Sequence, residues 1–280
     1  MIKPHYKIKT ITPGEVSTAE LHGYLLAAVA PRPIAFASTV DSKGNINISP
    51  FSFFNVFSAN PPILIFSPAR RVRNNTVKHT LENVLETKEV VINVVTEEIV
   101  QQASLASTEY GKNVNEFIKS GLTQVKSELV KPPRVLESKV SFECKVNDTI
   151  ALGEEGGAGN LVICQVIKVH IHEEVLDEEG KISTERMKLV ARMGGNWYCK
   201  AFGDALFEIP KPLRTLGVGF DNLPKEILHS EVLNGNDLAQ LANVDEIPPG
   251  IYSADIHEHA RAKQLLNNGK LKEAWQALIK

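Results

Sequence analysis

The chain has 280 residues, 43% of them hydrophobic and 23% charged, with a formal net charge of −2. That is long enough for a full core and ordinary for a globular protein, so neither a disordered nor a fibrous class fits. The charge balance gives no general attraction for nucleic acid or an anionic membrane; neither is an expected partner, and an anionic ligand needs a local cluster of cations and amides.

Cys144, Cys164 and Cys199 are odd in number and far apart, with no CxxC pair, so they read as reduced buried thiols rather than a disulfide framework or zinc site. The start, Met1-Ile2-Lys3-Pro4-His5-Tyr6-Lys7, has no apolar h-region. The stretch Tyr24 to Ala37 is broken by Pro31, Arg32 and Pro33, and cannot supply the ~20 apolar residues of a spanning helix. Cytoplasmic residence is the expectation.

Ser17-Thr18-Ala19-Glu20 has capping-box spacing, and Leu21, Leu25 and Val29 repeat at helical intervals, predicting a helix to about Ala30. Pro31 and Pro33 end it and hold Arg32 in a stiff linker, where it reads equally as a surface charge. Ile34 to Ser49 reads as a hairpin around the turn Asp41-Ser42-Lys43-Gly44-Asn45. Phe51, Phe53, Phe54 and Phe57 follow; core packing is the plain reading of Phe53 and Phe57. Ser49, Ser52 and Asn55 would each need a buried partner in a core, and could instead face the edge of a planar heterocycle.

A strand Ile63 to Ser67 leads through Pro68-Ala69-Arg70-Arg71 to Thr80, placed as the N-cap of a helix to Thr87. Val90 to Val95 is a strand, Thr96 or Glu97 to Ala106 a helix, and Glu116-Phe117-Ile118 a helical turn. Val135 to Ile150 and Leu161 to Ile171 read as two long strands that pair back on each other. Gly153 to Gly159 is then their hairpin loop, since it lacks GxGxxG spacing and the Lys-Ser/Thr of a P-loop. His170 and His172 share a strand face, but no third ligand is suggestively placed, so no metal is expected. Gly194-Gly195-Asn196-Trp197-Tyr198 sets two glycines beside two large rings, as where backbone closely approaches something flat; Trp197 reads equally as core. From Pro210 the texture turns to loops and short helices, ending in one amphipathic candidate from Ser253 to Ile279. The expected division is 1–209 as the main domain and 210–280 as an appended helical tail.

The order PRPIAF, STVD, GN, SPFSFFN, NPP, FSP, then Lys78-His79-Thr80, with Asn93, Glu143-Cys144-Lys145 and Gly194 to Tyr198 further on, resembles the flavin reductase-like family of FMN-binding split barrels. The resemblance covers roughly the first two-thirds of the chain. One position departs: the family usually has Lys-Asp-Thr, and His79 cannot supply that carboxylate. The resemblance implies a mainly β fold, a Greek-key split β-barrel with helices outside, homodimerisation, and FMN near the subunit interface.

On that basis Ser38, Thr39, Ser49, Pro50, Ser52 and Asn55 are candidates for the ring and ribityl contacts. Ser67, Arg70, Arg71, Lys78 and Thr80 are candidates for the phosphate, and Gly195 and Tyr198 for the nicotinamide or substrate face. No acid–base or covalent catalytic set is expected, because a flavin carries hydride chemistry itself. The implied activity is NAD(P)H-dependent reduction of bound FMN, with NADH or NADPH as donor and a small-molecule acceptor. Two alternatives stand beside it: a flavin-binding electron carrier without nicotinamide turnover, and a pyridoxamine phosphate oxidase-like activity, which the PRPIAF and SPFSFFN pattern disfavours.

Overall fold

The computed structural model describes residues 7–209 and 216–280, so the expected change of texture at Pro210 lies outside the described residues. The chain divides into Lys9–Phe207 and a second unit whose described part is residues 7–8, 208–209 and 216–280.

The first unit is built on strands β1 (Ala35–Val40), β2 (Ile46–Phe51), β3 (Phe54–Ala59), β4 (Pro62–Phe66), β5 (Glu89–Val94), β6 (Gln124–Val125), β7 (Arg134–Val135), β8 (Val140–Ala151), β9 (Asn160–Ile171), β10 (Val190–Arg192) and β11 (Tyr198–Lys200). Its helices are α1 (Thr18–Ala28), α2 (His79–Thr87), α3 (Val100–Leu105), α4 (Glu116–Ser120) and α5 (Thr184–Met187). Seven strands form one antiparallel sheet in the order β2-β1-β5-β8-β9-β4-β3. Its end strands β2 and β3 are consecutive in the chain, separated by Ser52 and Phe53 alone, so the sheet must curl until its ends meet. This is the split β-barrel.

The alternation of each strand decides what fills it. Ala35 and Ala37 of β1, Leu64 and Phe66 of β4, Val90 and Ile92 of β5, Cys144 of β8 and Val162 and Cys164 of β9 make the interior, which Leu81 and Val84 of α2 join. On the opposite face of β1, Ile34 and Phe36 pack with Ile48, Ile99, Ala103 and Phe117 beneath α3 and α4. Burial pushes the Cys144 and Cys164 thiols up, as expected of inert core cysteines.

The β1–β2 hairpin turns where expected: the Asp41 carboxylate accepts from the Lys43 and Asn45 amides at 2.9 and 2.8 Å. The β8–β9 hairpin is likewise as expected, with Val140 opposite Ile171 and Ala151 opposite Asn160. Several expectations are corrected. The SPFSFFN stretch gives up a strand of its own, β3, at the edge of the sheet. There Phe57 is 62% exposed, and Phe53 also faces outward, so neither ring is core. α2 begins one residue before Thr80, with Lys78 as its extended N-cap. Thr80 donates to Asn47 Oδ1 at 2.7 Å inside the fold.

Glu143, next to the core cysteine Cys144 on β8, is itself fully buried, accepting from the amides of Glu128 (2.8 Å), Leu129 (2.6 Å) and Val130 (3.2 Å), with His170 Nε2 2.6 Å away. Burial pushes this carboxyl up, but the amides and the imidazole outweigh burial and hold it below the ordinary carboxylate value. His170 is thus a structural partner of Glu143, and no metal-binding group of three His, Cys, Asp or Glu occurs among the described residues.

The second unit contains α6 (Lys225–Leu228), α7 (Gly235–Ala242), α8 (Ile256–Asn267) and α9 (Leu271–Ala277). It is more than a tail, because Ile227, Leu241, Ala262, Leu266, Trp275 and Leu278 form a core of its own. The single helix expected over Ser253 to Ile279 is two, broken at Gly269 with φ +70°. No helix among the described residues is long and apolar enough to cross a membrane.

Removing a carboxylate that satisfies several buried donors leaves them unpaired, so Glu143→Ala should cost about 3–5 kcal/mol in urea unfolding. Because the folded pKa is lowered, this contribution is complete above the ordinary carboxylate range and is lost as pH falls through the folded value. The wild type should therefore lose its advantage over the variant on acidification; a constant difference at all pH values contradicts the assignment.

Candidate functional site

Two adjoining cavities lie in the first unit. The larger, of about 670 Å³, is bounded by Pro50 near the end of β2 and Ser52 just after it, Val100, Ala103, Ser104 and Ser107 on and after α3, Arg192 and Tyr198 on the β10–β11 hairpin, and Lys78. The smaller, about 20 Å³, is lined by Ser49, Arg71, Lys78, His79, Thr80, Ser107 and Glu109. Lys78 and Ser107 line both, so the cleft and the cation pocket are neighbours.

The cleft's wall is fixed by Arg32, which the linker reading left as a plausible surface charge. It is 94% buried from solvent, at 6% exposure, and its guanidinium donates to the carbonyls of Leu26 (2.5 Å), Val29 (2.5 Å) and Met193 (2.9 Å). Those bonds satisfy carbonyls at the C-terminal end of α1 and tie them to the β10–β11 hairpin. Gly194 completes the join: a Cβ there would lie 3.1 Å from Ala27 Cα, so the flat object its backbone approaches is α1 itself. Gly195, at φ +57°, meets open space and lines neither cavity. Its carbonyl accepts from Arg192 at 2.8 Å, and the Arg192 guanidinium lies 4.6 Å from the Tyr198 ring centroid.

The cation pocket forms where the loop after β4 runs into α2. Arg71 donates to Glu109 Oε1 (2.9 Å), Thr76 Oγ1 (2.9 Å) and the Val77 carbonyl (2.6 Å). Burial first, then the charge of Arg71, holds the Lys78 ammonium below its ordinary value, against the opposing pull of the Glu109 carboxylate. α2 has no side-chain N-cap, leaving its first amides available to an anion. The β8–β9 turn supports this loop: Gly157 donates to the Arg70 carbonyl (3.0 Å) and Arg70 N to the Ala158 carbonyl (2.8 Å). A Cβ on Gly156 would fall 2.9 Å from the Val72 carbonyl oxygen, so only glycine lets the two loops meet this closely.

Of the residues singled out from sequence, Pro50, Ser52 and Tyr198 come together around the cleft, Ser49, Arg71 and Thr80 around the cation pocket, and Lys78 around both. The others line neither cavity. Thr39 is buried and accepts from Asn83 Nδ2 at 3.0 Å, Ser67 accepts from the Asn160 amide at 3.1 Å, and Arg70 donates to Asn75 Oδ1 at 2.5 Å. Asn55 is exposed on β3, its Oδ1 accepting from Val56 N. Ser38 is fully buried, and its hydroxyl finds no partner among the described residues.

Sequence reasoning missed His22, Ser104, Ser107, Arg192 and Glu109. They come from α1, from α3 and the segment after it, and from β10, and only the fold brings His22, Ser104, Ser107 and Arg192 to the cleft and Glu109 to the cation pocket.

The sequence matches the flavin reductase like domain over residues 27–189. A protein of Aquifex aeolicus (strain VF5) without assigned activity is 39% identical over 189 residues, which is 68% of this chain and 94% of that protein. YwrF of Bacillus subtilis (strain 168), also uncharacterized, is 34% identical over 66% of this chain and 91% of its own length. The crystal structure of nitrilotriacetate monooxygenase component B from Bacillus cereus superposes with a TM-score of 0.68 at 30% identity, covering 73% of this chain and 100% of that one. The chain therefore belongs to the flavin reductase-like domain family, with the split β-barrel as its fold.

Proposed function

We propose that the two adjoining cavities hold FMN, and that the protein is an oxidoreductase that uses it with NADH or NADPH. One observation carries this reading: a roomy cleft with apolar and hydroxyl walls adjoins, at Lys78 and Ser107, a cation pocket at the start of a helix. The residues suit that cofactor. Ile34, Pro50, Val95 and Val100 offer an apolar surface to a flat ring, while Ser52, Ser104 and Asn196 offer polar groups to its edge. Arg71, Lys78 and the first amides of α2 suit a phosphate dianion, which a chain of net charge −2 must hold locally.

The chemistry supplied by a bound flavin is acceptance of hydride from the nicotinamide and onward transfer of electrons. The chain's part is to bind, orient and exclude. The Arg32 and Gly194 contacts hold the cleft wall rigid, and Tyr198 and Arg192 face the open side, where a donor or acceptor enters. Absence of NADH and NADPH oxidation by protein that does bind FMN would favour the electron-carrier alternative.

Homodimerisation belongs to the same reading. α1 buries none of its residues, leaving Leu25 52% exposed, and the apolar Phe57 and Trp197, on β3 and the β10–β11 turn, are also largely exposed. α1 touches both neighbouring regions, through His22 against Phe53 and Ala27 against Gly194. An apolar rim of this kind marks a protein interface, and a second copy would cover it.

Arg71→Ala and Lys78→Ala should each weaken FMN binding by about 10- to 150-fold, the worth of a charge-assisted hydrogen bond, and barely affect riboflavin. Fluorescence-quenching titrations with both flavins check this; equal losses for the two ligands would show that the loop acts only through folding. Light scattering at micromolar concentration should give twice the 30.8 kDa chain mass. A monomer that binds FMN tightly would remove the dimer from the account.

A further inference from the structure

The cation pocket is too small for the anion it suits. About 20 Å³ accommodates a single water, not a phosphate. Arg71 is held by Glu109, Thr76 and the Val77 carbonyl, and Thr80 is buried against Asn47, so neither is free to make room. Glu116, the other carboxylate lining the pocket, is buried and accepts from Asn47 Nδ2 (2.9 Å) and the Ile48 amide (3.2 Å).

Glu109 differs from both. It lies between α3 and α4 with its side chain 35% exposed, and its carboxylate contacts only cations: Arg71 at 2.9 Å, Arg73 at closer range, and Lys78 at 3.9 Å. A carboxylate there offers two anionic oxygens to the guanidinium fork, much as a phosphate would.

Resting on the FMN reading above, we propose that Glu109 occupies the phosphate's place among Arg71, Arg73 and Lys78, and must swing into solvent for a phosphorylated flavin to bind. Glu109 then sets both the affinity for FMN and the preference for FMN over unphosphorylated riboflavin. A phosphate bearing a charge of about −1.5 to −2 cannot share the pocket with a carboxylate without strong like-charge repulsion. Already one-third exposed, Glu109 gains solvation on leaving, which offsets part of the ion pairing it gives up. While it stays, it keeps three cations from repelling one another and holds Arg71 in place.

The test is quenching titration of wild type, Glu109→Gln, Glu109→Ala and Arg71→Ala with FMN and with riboflavin. Both Glu109 variants should bind FMN at least about tenfold more tightly, with riboflavin within about twofold of wild type, because the competing charge is gone. Added salt should shrink that gain, since it is electrostatic. If Arg71→Ala weakens FMN selectively while both Glu109 variants bind it no better than wild type, Glu109 only positions Arg71 and the displacement idea is overturned. If Arg71→Ala leaves the FMN-to-riboflavin ratio unchanged, the phosphate site itself is misplaced, and this inference falls with it.

Discussion

The candidate site depends on one close approach, that of the β8–β9 turn to the loop joining β4 to α2. The loop carries Arg71 and Lys78 to the cation pocket. A hydrogen bond from Gly157 N to the Arg70 carbonyl, one from Arg70 N to the Ala158 carbonyl, and the absence of a side chain at Gly156 pin it to the β8–β9 turn. The Asn75 side chain adds a further tie, donating to the Glu154 carbonyl at 3.0 Å. The GEEGGAG sequence therefore acts through its contacts with the loop that holds the cations.

The elements that the amino-acid pattern shows are those whose cause is local. The β1–β2 turn is specified by Asp41, Gly44 and Asn45 within five residues, and the long β8 and β9 by their own β-branched runs. β3 was illegible because Phe53, Phe54 and Phe57 carry the signal of a core, whereas at the edge of the sheet only Phe54 packs against the interior and Phe53 and Phe57 remain exposed. Arg32 misled for the opposite reason: its burial needs the Leu26 and Val29 carbonyls at the end of α1 together with the Met193 carbonyl, which is far away in sequence.

The same division separates the site residues. Ser49, Pro50, Ser52, Arg71, Lys78 and Thr80 belong to the series of spaced motifs and line the two cavities. Ser38, Thr39 and Ser67 belong to that series too, but all three are buried, Thr39 against Asn83 and Ser67 against the Asn160 amide. The second unit shows how composition misleads in another way: its short helices look like an appendage, yet Leu241, Trp275 and Leu278 bury one another as a domain core does. Gly269 supplies the left-handed residue that separates α8 from α9 and lets them fold back as a pair.

The central claim is that the cleft and the cation pocket are two ends of one flavin site. A crystal structure of the protein grown with FMN tests it most directly. The account predicts the phosphate between Arg71 and Lys78 at the first amides of α2, with the ring in the cleft beside Ser52 and Tyr198. A phosphate bound elsewhere, at Arg192 for instance, with the Arg71 pocket closed and unchanged, would contradict it.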